Sequence, residues 1–278
     1  MLTGLLMTLA AATVHQSSPT RPDTIVVTGE ARLTEASARR AIEAVSLGEF
    51  QLARFHGSVC PMALGVAPES ARSMEERIRR IASAAGVKVA PSPCVANFVV
   101  ILASDVQSSF ADIKAKHPDW LVGVTPAGLS RLERERGPVL AWSSTTIRNE
   151  NGETLSTVDR LNPQNLRVQS ASILSQPTRQ QIDGSVVIIN SEAALGKTVG
   201  QLANYAAMRG LAQTRIPNEV PAVNTILSLF HAASPPKALT SFDFGYLRAL
   251  YASNGRETAA RERSRMARLI ASSTHASR

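Results

Sequence analysis

The chain is poor in the residues that build metal centres and base-stacking surfaces. Its 278 residues include two cysteines, five histidines and only 4% aromatics. Cys60 and Cys94 lack both the close pairing and the companion histidines of a zinc site. His15, His56, His117, His231 and His275 never share a helix at ligand spacing, and no H-E-x-x-H occurs. His56 stands near Cys60, but that stretch fits a strand end followed by a disulfide better than a metal pair. A G-x-S-x-G elbow is also missing: Gly128 to Leu132 lacks the second glycine that the sharp turn requires. Triads assemble in space, so this lowers the expectation of a serine hydrolase without removing it. Leu195 to Thr198 follows an expected strand and opens an expected helix, as a phosphate-binding loop would, yet Ser191 stands where the first glycine of G-x-x-x-x-G-K-[ST] belongs. Without that freely rotating position the segment is better explained as a helix entry capped by Thr198. No metal and no cofactor are expected.

Long apolar runs are equally scarce. The one at the start, Leu2 to Thr13, has the length of a secretory h-region, ends in small residues and gives way to a polar stretch. It is too short to span a bilayer, and no basic residue precedes it. Residues 1–22 are read as a signal peptide, with a frayed terminal helix as the alternative, and the expected location is the periplasm or the exterior. An oxidising compartment would join Cys60 to Cys94; buried reduced thiols are the other reading.

The net charge of +8 invites a nucleic-acid reading, but its distribution opposes one. Arginines are interleaved with glutamates at 75–80 and 131–136, the pattern of solvated helix faces. Few aromatics are available to stack on bases, so no specific nucleic-acid partner is expected. Only the tail forms a dense basic stripe, Arg261, Arg263, Arg265 and Arg268. Contact with an anionic membrane surface and a plain solvated helix are both compatible with it.

Apolar periodicity and turn residues give the order of elements. Strands are expected at 24–29, 51–57, 97–105, 139–147, 166–174 and 185–190, with 154–159 as a hairpin return. Helices are expected from Thr34, over 68–85 and 106–116, from 125 onward, and over 197–211, 221–230, 243–252 and 256–272. Alternation first, then clustered strands, then clustered helices predicts an α+β class, with 23–278 as one domain ending in a basic helix. Asp105, at a strand end, is either a cleft acid or a helix cap.

The segment from Ser185 to Tyr251 carries one further pattern. A strand leads to a helix ending Gly210-Leu211, then an irregular linker, then Leu239-Thr240-Ser241-Phe242-Asp243 and an apolar helix. This order resembles zincin-type metallopeptidases, and more closely an uncharacterised family of secreted bacterial proteins with zincin-like architecture and eroded metal ligands. The resemblance covers about the last third of the chain. It implies a mixed sheet with packed helices and a helical C-terminal third. Aligned through Gly210, the H-E-x-x-H-x-x-G-x-x-H pattern puts Ala203 and Ala207 at the first two ligand places, Asn204 at the general base and Gln213 at the third ligand. Alanine offers zinc no lone pair, and Asn204 cannot take a proton from a bound water. The reading is therefore a non-catalytic binding or structural protein whose remaining cleft takes a peptide or protein partner in the cell envelope, with Tyr205 and Arg209 as candidate binding residues. The alternative is a hydrolase using non-metal chemistry beside helix 198–211, with Asn204 and Asp243 as candidates.

Overall fold

The computed structural model describes residues 33–154, 168, 175–217 and 223–273. The expected signal segment, the expected strand at 24–29, and nearly all of 154–159 and 166–174 lie outside these. Helix α1 (Glu35–Val45) starts at Thr34, whose hydroxyl accepts the Ser37 amide. Strand β1 (Pro61–Leu64) is joined through helix α2 (Pro68–Ala84) to strand β2 (Phe98–Ala103), a crossover that leaves β1 and β2 parallel. Helices α3 (Val106–Lys116) and α4 (Pro126–Arg134) follow, then strands β3 (Val139–Asn149) and β4 (Thr178–Asn190). Helices α5 (Val199–Gly210), α6 (Ser241–Tyr251) and α7 (Ala259–Ser273) complete the described chain. Helices and a mixed sheet together make the class α+β.

The sheet runs β1-β2-β4-β3, with β1, β2 and β4 parallel and β3 antiparallel at one edge. Alternation of side chains divides its two faces. Leu140 and Trp142 on β3, with Val186 and Ile188 on β4, pack under α3 and α4 around Phe110 and Leu132. Val139, Ala141, Val187 and Ile189 point to the other face, where α1, α2, α5, α6 and α7 build the larger core. Near-continuous apolar runs in β2 and β4 follow from this burial on both faces.

Helix α5 runs through the middle of the larger core, and ten of its residues are buried. A Thr198–Gln201 capping box starts it. Small side chains at Ala203, Ala206 and Ala207 let it lie against its neighbours, and at Gly210 the approach to the sheet is closest. A Cβ there would stand 2.4 Å from the Phe98 ring, so only glycine fits. Ser185 Oγ on β4 donates to the Gly210 carbonyl at 2.7 Å and meets Ser143 Oγ at 2.9 Å, which fixes the end of α5 over the β3–β4 pair.

Two expected elements are corrected. Residues 51–57 form no strand and make one isolated bridge, Arg54 to Gln181. The Arg54 side chain, 1% exposed, explains the irregular path: it turns inward to Glu262 at 2.5 Å, to Ser253 and to the Leu250 carbonyl, tying this segment to α6 and α7. Over 221–230 the described residues hold only a short 3-10 turn, Ile226–Ser228. Asp243 captures the Ile226 amide and the Thr225 hydroxyl there, fixing the start of that turn from α6. The last helix also begins at Ala259 instead of 256, after Gly255 turns the chain at φ +74°.

Cys60 and Cys94 form a disulfide, S–S 2.07 Å. Among the described residues no helix is long and apolar enough to cross a membrane. On α7, Arg263 donates to the Gly48 carbonyl, and Arg265 bonds Glu257, Glu262 and the Ala249 carbonyl. The basic stripe is thus divided: those two arginines turn back onto the protein, and Arg261 and Arg268 are exposed.

Candidate functional site

The residues at the first two aligned ligand places and at the general-base place are inside the core. Ala203 and Ala207 are 0% exposed and Asn204 is 1% exposed. Asn204 Oδ1 accepts from Arg77 Nε of α2 at 3.0 Å, so this amide fastens two helices together. Gln213 lies beyond the end of α5, and its carbonyl accepts the Leu47 amide. Among the described residues no group of three or more histidines, cysteines or acids is placed to hold a metal ion.

Asp243 is also fully buried, and its carboxylate accepts from the Thr225 hydroxyl at 2.6 Å, the Ile226 amide at 2.8 Å and the Thr240 amide at 3.0 Å. It completes the capping box of α6 while holding the 225–228 turn. Burial pushes its pKa up to about 6 against the opposing pull of these hydrogen bonds. Asn204 and Asp243 therefore each belong to separate structural contacts. Asp105 is a cap, accepting the Ser108 amide at 2.9 Å. His56 sits beside Arg179, Arg54 and Arg148; burial first, and these charges next, push its pKa down to about 4.

Tyr205 and Arg209 divide the expectation made for them. Tyr205 is wholly buried, packed edge-on against Phe230 with centroids 5.0 Å apart, and burial raises its pKa. Its hydroxyl accepts from Arg209 Nη1 at 3.2 Å. Arg209 is one turn further on, 6% exposed, in the last turn of α5 where helix carbonyls favour a cation. Its Nε has no hydrogen-bond partner.

Arg209 lines a pocket of about 400 Å³ at the β3 edge of the sheet, where Val139, Leu140 and Ala141 are 3%, 2% and 5% exposed. Val139, Leu140 and Ala141 of β3 form one wall, Arg131 and Glu135 from the end of α4 stand on one side, and Arg209 and Arg215 on the other. The pocket therefore wraps the edge strand between the two helical layers. The Asn190 amide bonds the Pro138 carbonyl, while the Ser185 amide turns away to Asn97 on the β2 side. By antiparallel alternation, the amides and carbonyls of Val139 and Ala141 point away from β4. Among the described residues neither has a backbone partner on that side.

Charge in the pocket is unbalanced. No ion pair within 4.0 Å involves Arg131, Arg209 or Arg215 among the described residues. Glu135 directs a carboxylate oxygen to the Gly137 amide at 3.0 Å. Arg215 is spent on the Ala44 and Glu43 carbonyls at the end of α1. Arg131 is exposed at the rim; desolvation and the nearby Arg209 charge lower its pKa, and the Glu135 carboxylate opposes them.

Two other hollows differ in this respect. At the carboxyl ends of β2 and β4, Asp105 caps α3, Asn190 bonds Ser104 and Ala193, and Arg136 bonds the carbonyls of Glu133 and Glu135. At the opposite ends, Asp183 accepts from Thr146, Arg148 and Gln181, and Asn97 bonds Cys60 and Ser58. These polar groups serve the fold, whereas Arg131 and Arg209 form no ion pair among the described residues. Sequence reasoning selected Arg209 and missed Arg131 and the β3 edge. The interleaved charges at 131–136 concealed the first, and strand order, which fixes the edge, is not written in local sequence.

Compared with models of known protein families, with curated proteins and with solved structures, the chain matches none.

Proposed function

We propose that the chain is an exported, non-catalytic binding protein of zincin-like layout that holds a peptide or protein segment in the pocket between the β3 edge and the end of α5. The observation that carries this reading is the coincidence, in one pocket, of outward main-chain groups on β3 with two arginines, Arg131 and Arg209, that form no ion pair among the described residues. An extended segment adding along such an edge gains main-chain hydrogen bonds, and the adjoining pocket supplies side-chain discrimination. The zincin-like part of the reading draws support from the order of elements: an antiparallel edge strand, a last parallel strand, then a buried helix where the metal-binding helix would lie. The non-catalytic part draws support from Ala203, Ala207 and Asn204, all packed in the interior. Export is supported by the Cys60–Cys94 disulfide.

Ala141→Pro tests the main-chain contact. Proline removes an outward amide and is tolerated on edge strands. Randomised hexapeptide pools should bind the parent protein, and this variant should lose most of that binding while retaining the parent's circular dichroism. Equal binding by a folded variant would exclude the β3 edge from the binding site.

A further inference from the structure

We infer that the pocket recognises a carboxylate, with Arg209 as its buried anchor and Arg131 as a second guanidinium at the rim. This rests on the peptide-binding reading above and specifies its ligand class.

Burying an ionised side chain without a full set of partners is unfavourable, and an unmade hydrogen bond to a charged group adds to the cost. Arg209 is 6% exposed, spends Nη1 on the neutral Tyr205 hydroxyl and leaves Nε unpartnered. The carbonyl end of α5 compensates only part of this. A second guanidinium, Arg131, lines the same pocket close enough to feel the Arg209 charge, so like charges converge there. Glu135 is the acid of the pocket wall, and its bond to Gly137 leaves it outside ion-pair distance of either arginine. An arriving anion would meet Nη2, the guanidinium nitrogen that is neither bonded nor sealed from solvent, and relieve the mutual repulsion.

The chemistry of that anion follows from the donors and their surroundings. Guanidinium groups present planar N–H forks that match a carboxylate's two oxygens. Beside them, the outward amides and carbonyls of Val139 and Ala141 suit the backbone of the chain that carries it. Carboxylates come from two places on a peptide, its C-terminus and its Asp or Glu side chains. Tyr205, packed edge-on against Phe230 and bonded to Arg209, acts as a positioning residue by keeping the guanidinium aimed.

Fluorescent hexapeptide pools, randomised at apolar positions, separate the sources by anisotropy titration against the full chain. Four are compared: free C-terminal carboxylate, C-terminal amide, amide with one fixed Glu, and amide with one fixed Lys. The expected result is binding of the first, the third or both at least about tenfold tighter than the amide and Lys pools, the equivalent of one charged contact. Which of the two binds tells a chain terminus from an acidic side chain. Arg131→Gln, at an exposed position, should reduce the preference severalfold without risk to the fold, and Arg209→Gln should abolish it. Equal binding of all four pools overturns the carboxylate claim and leaves peptide binding standing. Should no pool bind, acetate titration followed through the Arg209 Nε–H nuclear magnetic resonance signal decides: a saturable shift upholds the carboxylate site and removes the peptide, and no shift overturns both.

Discussion

Arg77 Nε donates to Asn204 Oδ1 across 3.0 Å, joining α2 to the centre of α5 inside the core. Under the proposed zincin-like layout Asn204 would stand at the general-base position; the side chain is a structural fastener. The bond spends this polar side chain, at the centre of α5, on packing. Substituting Asn204 should therefore lower stability and leave pocket binding intact. In urea titration Asn204→Leu is expected to cost about 2 kcal/mol, the range for depriving a buried charged donor of an acceptor. A loss of peptide binding at equal foldedness would return Asn204 to the ligand site.

Asp243 gives a pH signature. Its carboxyl is raised from 3.8 to about 6 by burial, so over that interval the folded protein holds a proton that the unfolded chain releases. Its contribution to stability is fully present below about pH 4 and is lost as pH rises through 6; a displacement of this size corresponds to about 3 kcal/mol at most. His56, lowered to about 4, acts in the opposite direction as pH rises toward 6.5. The comparison is therefore between parent and Asp243→Asn, whose stability difference should change between pH 4 and 6 in chemical denaturation. A constant difference over that interval would mean that Asp243 titrates normally.

The disulfide closes a loop of sequence separation 34. Chain-entropy reasoning assigns about 4 kcal/mol to a loop of that length. Replacing both Cys60 and Cys94 by alanine should shift the urea midpoint downward by the corresponding amount. Reductant should reproduce the effect in the parent protein and have none in the double variant.

Gly210→Ala puts a methyl group against the Phe98 ring, at a distance of 2.4 Å before any adjustment. The helix end must move off the sheet, weakening the Ser185 contact and displacing Arg209 beside it. Overpacking of this kind costs about 1–3 kcal/mol. Peptide binding should fall together with the melting temperature, unlike the result for Asn204→Leu.

Helices α2, α3, α4 and α5 are readable in the sequence because amphipathic spacing, proline starts and Thr or Asp caps are local signals. Strand β2 is readable through its apolar run. By contrast, 51–57 reads as a strand, yet Arg54 belongs to an ion pair with a residue more than two hundred positions later, a partnership no local pattern carries. The 221–230 stretch reads as a helix, but Asp243 claims its backbone donors from a separate element. The pocket follows the same rule. Arg209 is visible as the polar end of a small-residue helix, but its meeting with Arg131 and β3 depends on strand order and on which edge remains unpaired.

The decisive measurement is an amide nuclear magnetic resonance titration of the full, isotopically labelled chain with the hexapeptide pools. Shifts should gather on Val139, Ala141 and Arg209, with the interior positions Ala203, Asn204 and Ala207 little affected. Shifts centred instead on Asp105 and Asn190, at the carboxyl ends of β2 and β4, or no shifts at all, would contradict peptide binding at the β3 edge.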